Sequence, residues 1–88
     1  MRSRGTAQFW LLYRGLPVDI RLAARRAYQR FLENPAHPSL HLERLRNDPR
    51  FWSVRVTLDY RAVALRSRDD WVWTWIGNHQ DFDRRFSA

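Results

Sequence analysis

Residues 51–82 place the strongest limits on the fold, because most of this stretch predicts three adjacent β-strands joined by short turns. The predicted strands cover residues 51–57, 60–67 and 71–77. Two of them carry an arginine in mid-strand, Arg55 and Arg61, and the third ends in Gly77-Asn78-His79. A sheet that only has to fold gains nothing from a charged side chain there. Two arginines and a histidine on one sheet indicate a surface that binds phosphate or cuts a phosphodiester.

The length of the first turn decides whether Arg55 and Arg61 share a face. A three-residue loop, Thr57-Leu58-Asp59, puts them opposite each other, whereas a two-residue turn at Leu58-Asp59 puts them on opposite faces. We predict the first register, because an arginine that points into a thin apolar core is costly. The open face then carries Ser53, Arg55, Thr57 and Arg61, and the face toward the helices carries Val54, Val56, Ala62 and Ala64.

The third strand alternates tryptophan with other residues. This pattern predicts Trp71, Trp73 and Trp75 on one face, with Val72, Thr74 and Ile76 on the other. Each tryptophan taken singly is expected in the core. Three of them exceed what so few helical residues can cover, so one or two are expected on the open face. There they would stack on bases or hold a partner helix, and the sequence leaves open which ones do so.

The N-terminal half indicates helices. Thr6 is a plausible N-cap for a segment with Phe9, Trp10, Tyr13 and Leu16 at helical spacing, although alternation from Ala7 to Tyr13 leaves a strand open. After Leu16-Pro17, a second helix presents Ile20, Ala24, Ala27 and Phe31 on one stripe and ends at Asn34-Pro35. Ser39 is predicted to cap a short helical segment with Leu40, Leu42 and Leu45, and residues 79–86 are predicted as a last helix.

This order of elements predicts an α+β fold in a single domain over residues 1–88. An N-terminal helical hairpin packs on one face of a three- to four-stranded antiparallel sheet, with a short C-terminal helix. Residues 2–5 are expected to form no more than a short edge strand.

Charge narrows the range of partners. The net charge is +7, and all sixteen basic residues are arginine. Such a surface attracts phosphates or an acidic protein. The chain has no cysteine, which excludes a disulfide framework and fits a reducing cytoplasm. No segment approaches the ~20 apolar residues of a membrane span, and the N-terminus lacks the apolar core of a signal peptide.

Three groups of residues resemble the RelE/ParE superfamily of bacterial toxin–antitoxin toxins, over about residues 6–86. The strand pair of the YoeB-type ribonucleases is similar to Phe51-Trp52-Ser53-x-Arg55-x-Thr57-x-x-Tyr60-Arg61. The end of the last strand in the YafQ and YoeB types is similar to Gly77-x-His79. The family's helical hairpin and its lead into the sheet resemble Leu16-Pro17 and Pro38-Ser39-Leu40 with Leu45.

The resemblance implies metal-free cleavage of mRNA, with no cofactor. Arg61 takes the position of the arginine that holds the scissile phosphate, and Arg55 that of a second basic residue facing phosphate. His79 takes that of the proton-transferring histidine, and Glu43 corresponds loosely to a catalytic carboxylate. Several relatives carry a tyrosine after the histidine. Here Phe82 and Phe86 stand in that region, and they can stack but cannot transfer a proton.

Simpler explanations stay open for each of these residues. Arg61 would otherwise pair with Asp59 or Asp81, Arg55 would be a surface arginine, and His79 would cap the Gly77-Asn78 turn. Further RNA contacts are predicted at Arg21, Arg25, Arg26, Arg30, Arg46, Arg50 and Phe82, with Arg44 beside them. Three histidines without clustered carboxylates or cysteines make a weak metal site.

The resemblance implies a toxin in the bacterial cytoplasm, with the ribosome, mRNA and a cognate antitoxin as partners and no membrane or small-molecule cofactor. Its superfamily hosts more than one activity on one scaffold. Two alternatives to ribosome-dependent mRNA cleavage therefore remain. One is a ParE-type toxin that inhibits gyrase without catalysis, and the other is an inactive module that binds RNA or antitoxin.

Overall fold

The computed structural model describes residues 1–86 and has five strands and three α-helices in that range. The elements in chain order are β1 (Arg2–Gly5), α1 (Ala7–Arg14), α2 (Val18–Glu33), a 3-10 turn (Pro38–Leu40), β2 (Glu43–Arg44), β3 (Phe51–Arg55), β4 (Tyr60–Ser67), β5 (Asp70–Asn78) and α3 (His79–Phe86). No helix within residues 1–86 combines the length and the apolar character needed to cross a membrane.

The α+β prediction and the short C-terminal helix are confirmed, but the sheet is larger than predicted. Its order is β1-β5-β4-β3-β2, and β1 runs parallel to β5 while the other pairs are antiparallel. The short edge strand expected at residues 2–5 forms as β1, and the strand that was not predicted is β2. Strand β1 is held by Ser3, whose hydroxyl accepts a 2.9 Å hydrogen bond from the indole nitrogen of Trp73. A buried indole N–H needs such a partner, so β1 completes the core as well as the sheet.

Both N-terminal helices form as the sequence predicts. The hydroxyl of Thr6 accepts a 3.1 Å bond from the Phe9 amide and caps α1. Helix α2 follows Pro17 and ends before Asn34, and Ala27 and Phe31 of its apolar stripe are buried. The predicted helical segment after Ser39 is wrong. The chain makes one 3-10 turn, where His37 caps the Ser39 amide, and then enters β2.

The predicted register of the first hairpin is confirmed. Arg55 lies directly opposite Arg61, and Val54 lies opposite Ala62. Val54, Ala62 and Ala64 belong to the core under the helices, as expected from this parity. The loop closes with the amides of Val56 and Thr57 both bonded to the Tyr60 carbonyl, at 2.9 and 3.2 Å.

The predicted common face for the three tryptophans of β5 is wrong, because the strand contains a β-bulge. Val63 pairs with Trp75, but its neighbour Ala64 pairs with Trp73, so Thr74 is an extra residue. One extra residue reverses the parity of a strand. Trp71 and Trp73 therefore contact Phe31 of α2, at centroid distances of 4.9 and 5.2 Å. Trp75 points to the other side of the sheet.

Helix α3 lies on that other side, so it covers part of the face that was predicted to be open. Its Phe82 and Phe86 contact the ring of Trp75, at centroid distances of 6.2 and 5.3 Å. Val63 and Ser53 on this side are also buried. The sheet thus separates a large core under α1 and α2 from a small one under α3. The face predicted to be open is open only beyond the edge of α3.

Candidate functional site

Arg55 and Arg61 form a cross-strand pair on the α3 side of the sheet. Both side chains are half-buried, and neither forms an ion pair with any residue among 1–86. Arg61 Nη1 donates a 3.3 Å hydrogen bond to the hydroxyl of Ser53, which is 1% exposed. Two like charges directly opposite each other repel. A bound anion would relieve that repulsion, so this pair is a candidate phosphate-binding site.

His79 is the first residue of α3 and lies next to this pair. Its ring stacks on Phe82 with centroids 6.2 Å apart, and the Arg61 guanidinium lies 5.3 Å from the centroid of the same Phe82 ring. Phe82 therefore lies in contact with both Arg61 and His79. An aromatic ring between a guanidinium and an imidazole holds both by stacking and cation–π attraction. Phe82 belongs to the site as a positioning side chain.

The start of α3 fixes where His79 points. The Asn78 side chain accepts a 2.8 Å bond from the Asp81 amide, so Asn78 and not His79 caps the turn. The His79 amide donates to the Asp59 carbonyl, and its Nε2 lies 3.5 Å from a carboxylate oxygen of Asp83. The sequence analysis missed Asp83. Its spacing of four residues from His79 on a predicted helix was the available signal.

Gly77 lies opposite Arg61 on β5, where the site leaves no room for a side chain. A Cβ added there would come within 2.6 Å of the Trp75 ring. The indole of Trp75 therefore lies over Gly77 and beside Arg61. Glycine at this position allows the Trp75 ring to pack directly against the backbone.

Glu43 lies on β2 directly opposite Ser53, so register puts it on the same face as Arg61. It is exposed and has no ion-pair partner among the described residues. Along the sheet, Glu43 lies on the β2 side of Arg61, and His79 lies on the β5 side. We call the set Glu43, Ser53, Arg55, Arg61, His79 and Phe82 the arginine face.

The ion pairs considered for Arg61 do not form. Asp81 pairs with Arg84 instead, and the Asp59 side chain makes no ion pair within residues 1–86. Within residues 1–86, Arg61 makes one side-chain hydrogen bond, to Ser53, and one cation–π contact, with Phe82. Neither of them neutralises its charge.

The predicted RNA-binding arginines of α2 do not join this site. Their helix packs on the other face of the sheet, through Ala27 and Phe31. Arg26 and Arg30 are exposed there, and Arg25 Nε donates to the Tyr13 hydroxyl at 3.0 Å. Arg21 has a buried Nε with no hydrogen-bond partner among the described residues.

The predicted contacts near the β2–β3 loop differ from each other. Arg46 is exposed. Arg50 is paired with Asp48 at 2.7 Å, and this hydrogen bond lowers the pKa of the Asp48 carboxyl and raises that of Arg50. Arg50 is thus less available to an anion. His37 and His41 are exposed, and His37 is used as the cap of the Ser39 amide.

A cavity of about 310 Å³ lies between α1, α2 and the sheet, away from the arginine face. Its walls are mainly aromatic and aliphatic, with Phe9, Tyr28 and Trp73 among them. None of the arginine-face residues lines this cavity.

The fold has relatives of known structure. A YoeB/ParE toxin from Agrobacterium tumefaciens superimposes with a TM-score of 0.70 at 18% identity, covering 90% of this chain and 99% of that one. In a RelB–RelE antitoxin–toxin complex from Methanococcus jannaschii, the matching chain has a TM-score of 0.75 at 11% identity, with coverages of 93% and 96%. YafQ from E. coli strain BL21(DE3) has a TM-score of 0.62 at 15% identity, with coverages of 93% and 98%. These similarities define a toxin fold of the RelE/ParE type.

The sequence matches a family model, which identifies the family more specifically than the structural similarities do. Residues 18–84 match the family model described as ParE-like toxin domain. The chain therefore belongs to the ParE-like toxin family, within the RelE/ParE superfamily. No curated protein matches its sequence.

Proposed function

We propose that this protein is the toxin of a bacterial type II toxin–antitoxin system and that it cleaves mRNA on the ribosome, in the cytoplasm. One observation carries the proposal: Arg55 and Arg61 lie opposite each other without a carboxylate partner, and Arg61 and His79 contact the same phenylalanine. This combines phosphate binding with a proton-transferring group at one place. Membership of the ParE-like family supports the toxin role.

The chemistry is attack of the ribose 2′-hydroxyl on the adjacent phosphate, which breaks the bond to the 5′-oxygen. Arg61 and Arg55 hold the phosphate and stabilise the charge that develops on it, because guanidinium N–H groups match phosphate oxygens. One group takes the proton of the 2′-hydroxyl, and another protonates the leaving 5′-oxygen. Attack and departure occur on opposite sides of phosphorus. Glu43 and His79 flank Arg61 in opposite directions along the sheet, Glu43 toward β2 and His79 toward β5.

His79 and Glu43 are the two proton-transfer groups. A histidine can work in either direction near neutral pH, and such transfer contributes about 10²–10⁴-fold. The Asp83 carboxylate near Nε2 orients the ring, which leaves Nδ1 for the substrate. Phe82 supplies stacking where a tyrosine would supply a hydroxyl.

The test is cleavage of mRNA by purified protein with ribosomes, read by primer extension. We expect Arg61→Ala to slow cleavage by about 10²–10³-fold, as loss of a charge-stabilising donor does. His79→Ala should slow it by about 10²-fold or more. Arg14→Ala, an exposed arginine at the end of α1, is the matched control and should cleave normally. If folded Arg61→Ala protein cleaves as fast as the wild type, the proposal is wrong.

Gyrase inhibition is the second candidate, because the family model is ParE-like and Phe82 lacks the hydroxyl that a catalytic aromatic residue would carry. A binding mechanism does not need His79. In a gyrase supercoiling assay, it predicts that wild type and His79→Ala inhibit equally, while neither cleaves mRNA. Inhibition of neither target would favour the inactive binding module.

A cognate antitoxin is the partner we propose for the arginine face. The relative from Methanococcus jannaschii was solved as an antitoxin–toxin complex. The net charge of +7 favours an acidic partner segment. A small acidic protein encoded beside this one should co-purify with it, and Arg55→Glu with Arg61→Glu should weaken that complex.

A further inference from the structure

A second group of arginines lies over tryptophan rings, on the face of the sheet that α2 covers and toward the edge strand β2. The Arg44 guanidinium lies 4.9 Å from the Trp52 ring centroid, and the Arg66 guanidinium lies 5.3 Å from the same centroid. Arg66 is also 4.9 Å from the centroid of Trp71. We call Arg44, Trp52, Arg66 and Trp71 the Arg–Trp stack. The sequence analysis named Arg44 beside the predicted RNA contacts but missed the stack, because its members come from four strands.

The Arg–Trp stack lies on the opposite side of the sheet from the arginine face. Arg44 pairs with Trp52, and Trp52 pairs with Ala64, whose side chain is in the core under α2. Trp71 is in that core as well, against Phe31. The two surfaces are therefore separated by the sheet. A ligand that contacts Arg44 and Arg66 does not depend on the arginine face.

Three carboxylates near this end of the sheet are paired with other cations, and Glu43 is on the opposite face from Arg44. Asp48 pairs with Arg50 at 2.7 Å, Asp70 with Arg2 at 3.0 Å, and Asp69 with the N-terminal amine of Met1 at 3.2 Å. Within residues 1–86, Arg44 and Arg66 have no carboxylate partner. Their two positive charges are held in place and remain uncompensated.

Stacking leaves the edges of the guanidinium groups free. Arg44 makes no side-chain hydrogen bond to a described residue, and Arg66 uses only Nε, which donates to the Arg68 carbonyl at 3.1 Å. Each guanidinium lies over an indole ring, and the Nη groups of Arg44 and Arg66 donate to no described residue. A guanidinium held this way loses little conformational entropy on binding and presents paired N–H groups that match phosphate oxygens.

We propose that the Arg–Trp stack binds the phosphate backbone of RNA, as an anchoring surface separate from the arginine face. The choice of RNA as the ligand rests on the proposed function. An acidic protein is the less suitable ligand, because the tryptophans that anchor protein interfaces insert into the partner and are buried by it. Neither Trp52 nor Trp71 is among the exposed large apolar side chains. The two arginines are exposed while the two indole rings are half-buried or buried, and that suits a backbone contact that does not read sequence.

The test measures affinity for a short, fluorescently labelled single-stranded RNA with 2′-O-methyl riboses, which cannot be cleaved through the 2′-hydroxyl. The wild type is compared with Arg44→Gln/Arg66→Gln by fluorescence anisotropy over a series of salt concentrations. Loss of two phosphate contacts should lower the slope of log K against log salt by about 1.4, since each contact contributes about 0.7 on a single strand. Arg4→Gln/Arg14→Gln removes the same charge from two exposed arginines outside both surfaces and is the control.

The control variant distinguishes a specific binding site from a nonspecific effect of the net charge. We expect it to change the slope by less than half as much as the stack variant does. Equal losses would mean that only net charge matters and would overturn the proposal, as would an unchanged slope in the stack variant. Unchanged RNA binding with loss of antitoxin binding would make this a protein-docking surface and would also overturn it. If the double variant does not fold, Arg44→Gln alone, on the exposed edge strand β2, should lower the slope by about 0.7.

Failure of this inference and failure of the proposed function are distinguishable. Wild-type protein that binds 2′-O-methyl RNA through the stack but never cuts mRNA would overturn the function and keep the inference. Cleavage of mRNA by the wild type, together with RNA binding that the stack substitutions leave unchanged, would keep the proposed function and overturn the inference.

Discussion

The two sides of the sheet differ in how much helix covers them. On the α2 side, Phe31 and Leu40 are each 1% exposed and pack with Trp71 and Trp73, and α2 itself buries two residues. On the α3 side, the eight-residue helix α3 buries none of its own residues while it covers Trp75. Burial of apolar area is the main source of stability. The α2 side therefore contributes most of the stability of the fold. The thinly covered α3 side leaves Arg55 and Arg61 half-buried and accessible to a ligand.

Deletion of Thr74 is the strongest way to break this division. Without the extra residue, one end of β5 must present its side chains to the wrong side of the sheet. We expect the deletion protein to show no cooperative thermal transition by circular dichroism. Thr74→Val keeps the bulge and loses only the hydroxyl bond to the Val63 carbonyl, so it should cost about 0.5–1.5 kcal/mol. A cooperative, near wild-type transition in the deletion protein would contradict the bulge.

Truncation of one phenylalanine on each side compares the two cores directly. Phe31→Ala should lower the free energy of unfolding by about 3–5 kcal/mol, as large core truncations do. Phe86 is only half-buried, so Phe86→Ala should cost clearly less. Urea denaturation measures both variants. Equal losses would mean that α3 is as much a part of the core as α2.

Substitution of Phe82 tests the arginine face without breaking the fold. Phe82→Leu keeps an apolar side chain but removes the ring beneath Arg61. A partly exposed cation–π contact contributes about 0.5–1 kcal/mol, so mRNA cleavage should slow by about 2- to 5-fold. Phe82→Tyr keeps the ring and serves as the control, with cleavage at least as fast as in the wild type. Equal slowing in both variants would exclude stacking as the cause.

The smallest expected effect is at the β1 edge, which borders both sides of the sheet. The hydrogen bond and charge of Arg2 lower the pKa of the Asp70 carboxyl below its ordinary value. A carboxyl whose pKa is lower in the folded state stabilises the fold above its unfolded pKa, and this contribution is lost as the pH falls below about 4. The melting temperature of Asp70→Asn should therefore be slightly lower than that of the wild type at pH 7. The difference between the two melting temperatures should disappear at low pH. An equal difference in melting temperature at pH 3 would mean that the ion pair with Arg2 is not its cause.

Local pattern was enough to predict several parts of the molecule. The Thr6 cap, the α2 stripe ending at Asn34 and the last helix over residues 79–86 follow from capping, helical periodicity and proline, which act within a few residues. The pairing of Arg55 with Arg61 also followed, because a short loop and the cost of a buried charge leave one register.

Features that depend on distant residues were not predictable in the same way. Trp75 lies on the opposite side from Trp71 and Trp73 because of a bulge that strict alternation does not reveal. The Arg–Trp stack and the stacking of Arg61 and His79 on Phe82 bring together residues from separate strands and from α3.

The sequence by itself determined helices α2 and α3, strands β3 to β5, the register of the β3–β4 hairpin and the excess of arginine, since these depend on neighbours along the chain. Only the tertiary structure decided which side of the sheet each tryptophan occupies, that α3 covers the face of Arg61, and which arginines are left without a carboxylate. Those outcomes depend on packing between elements, and a single extra residue in β5 is enough to change them.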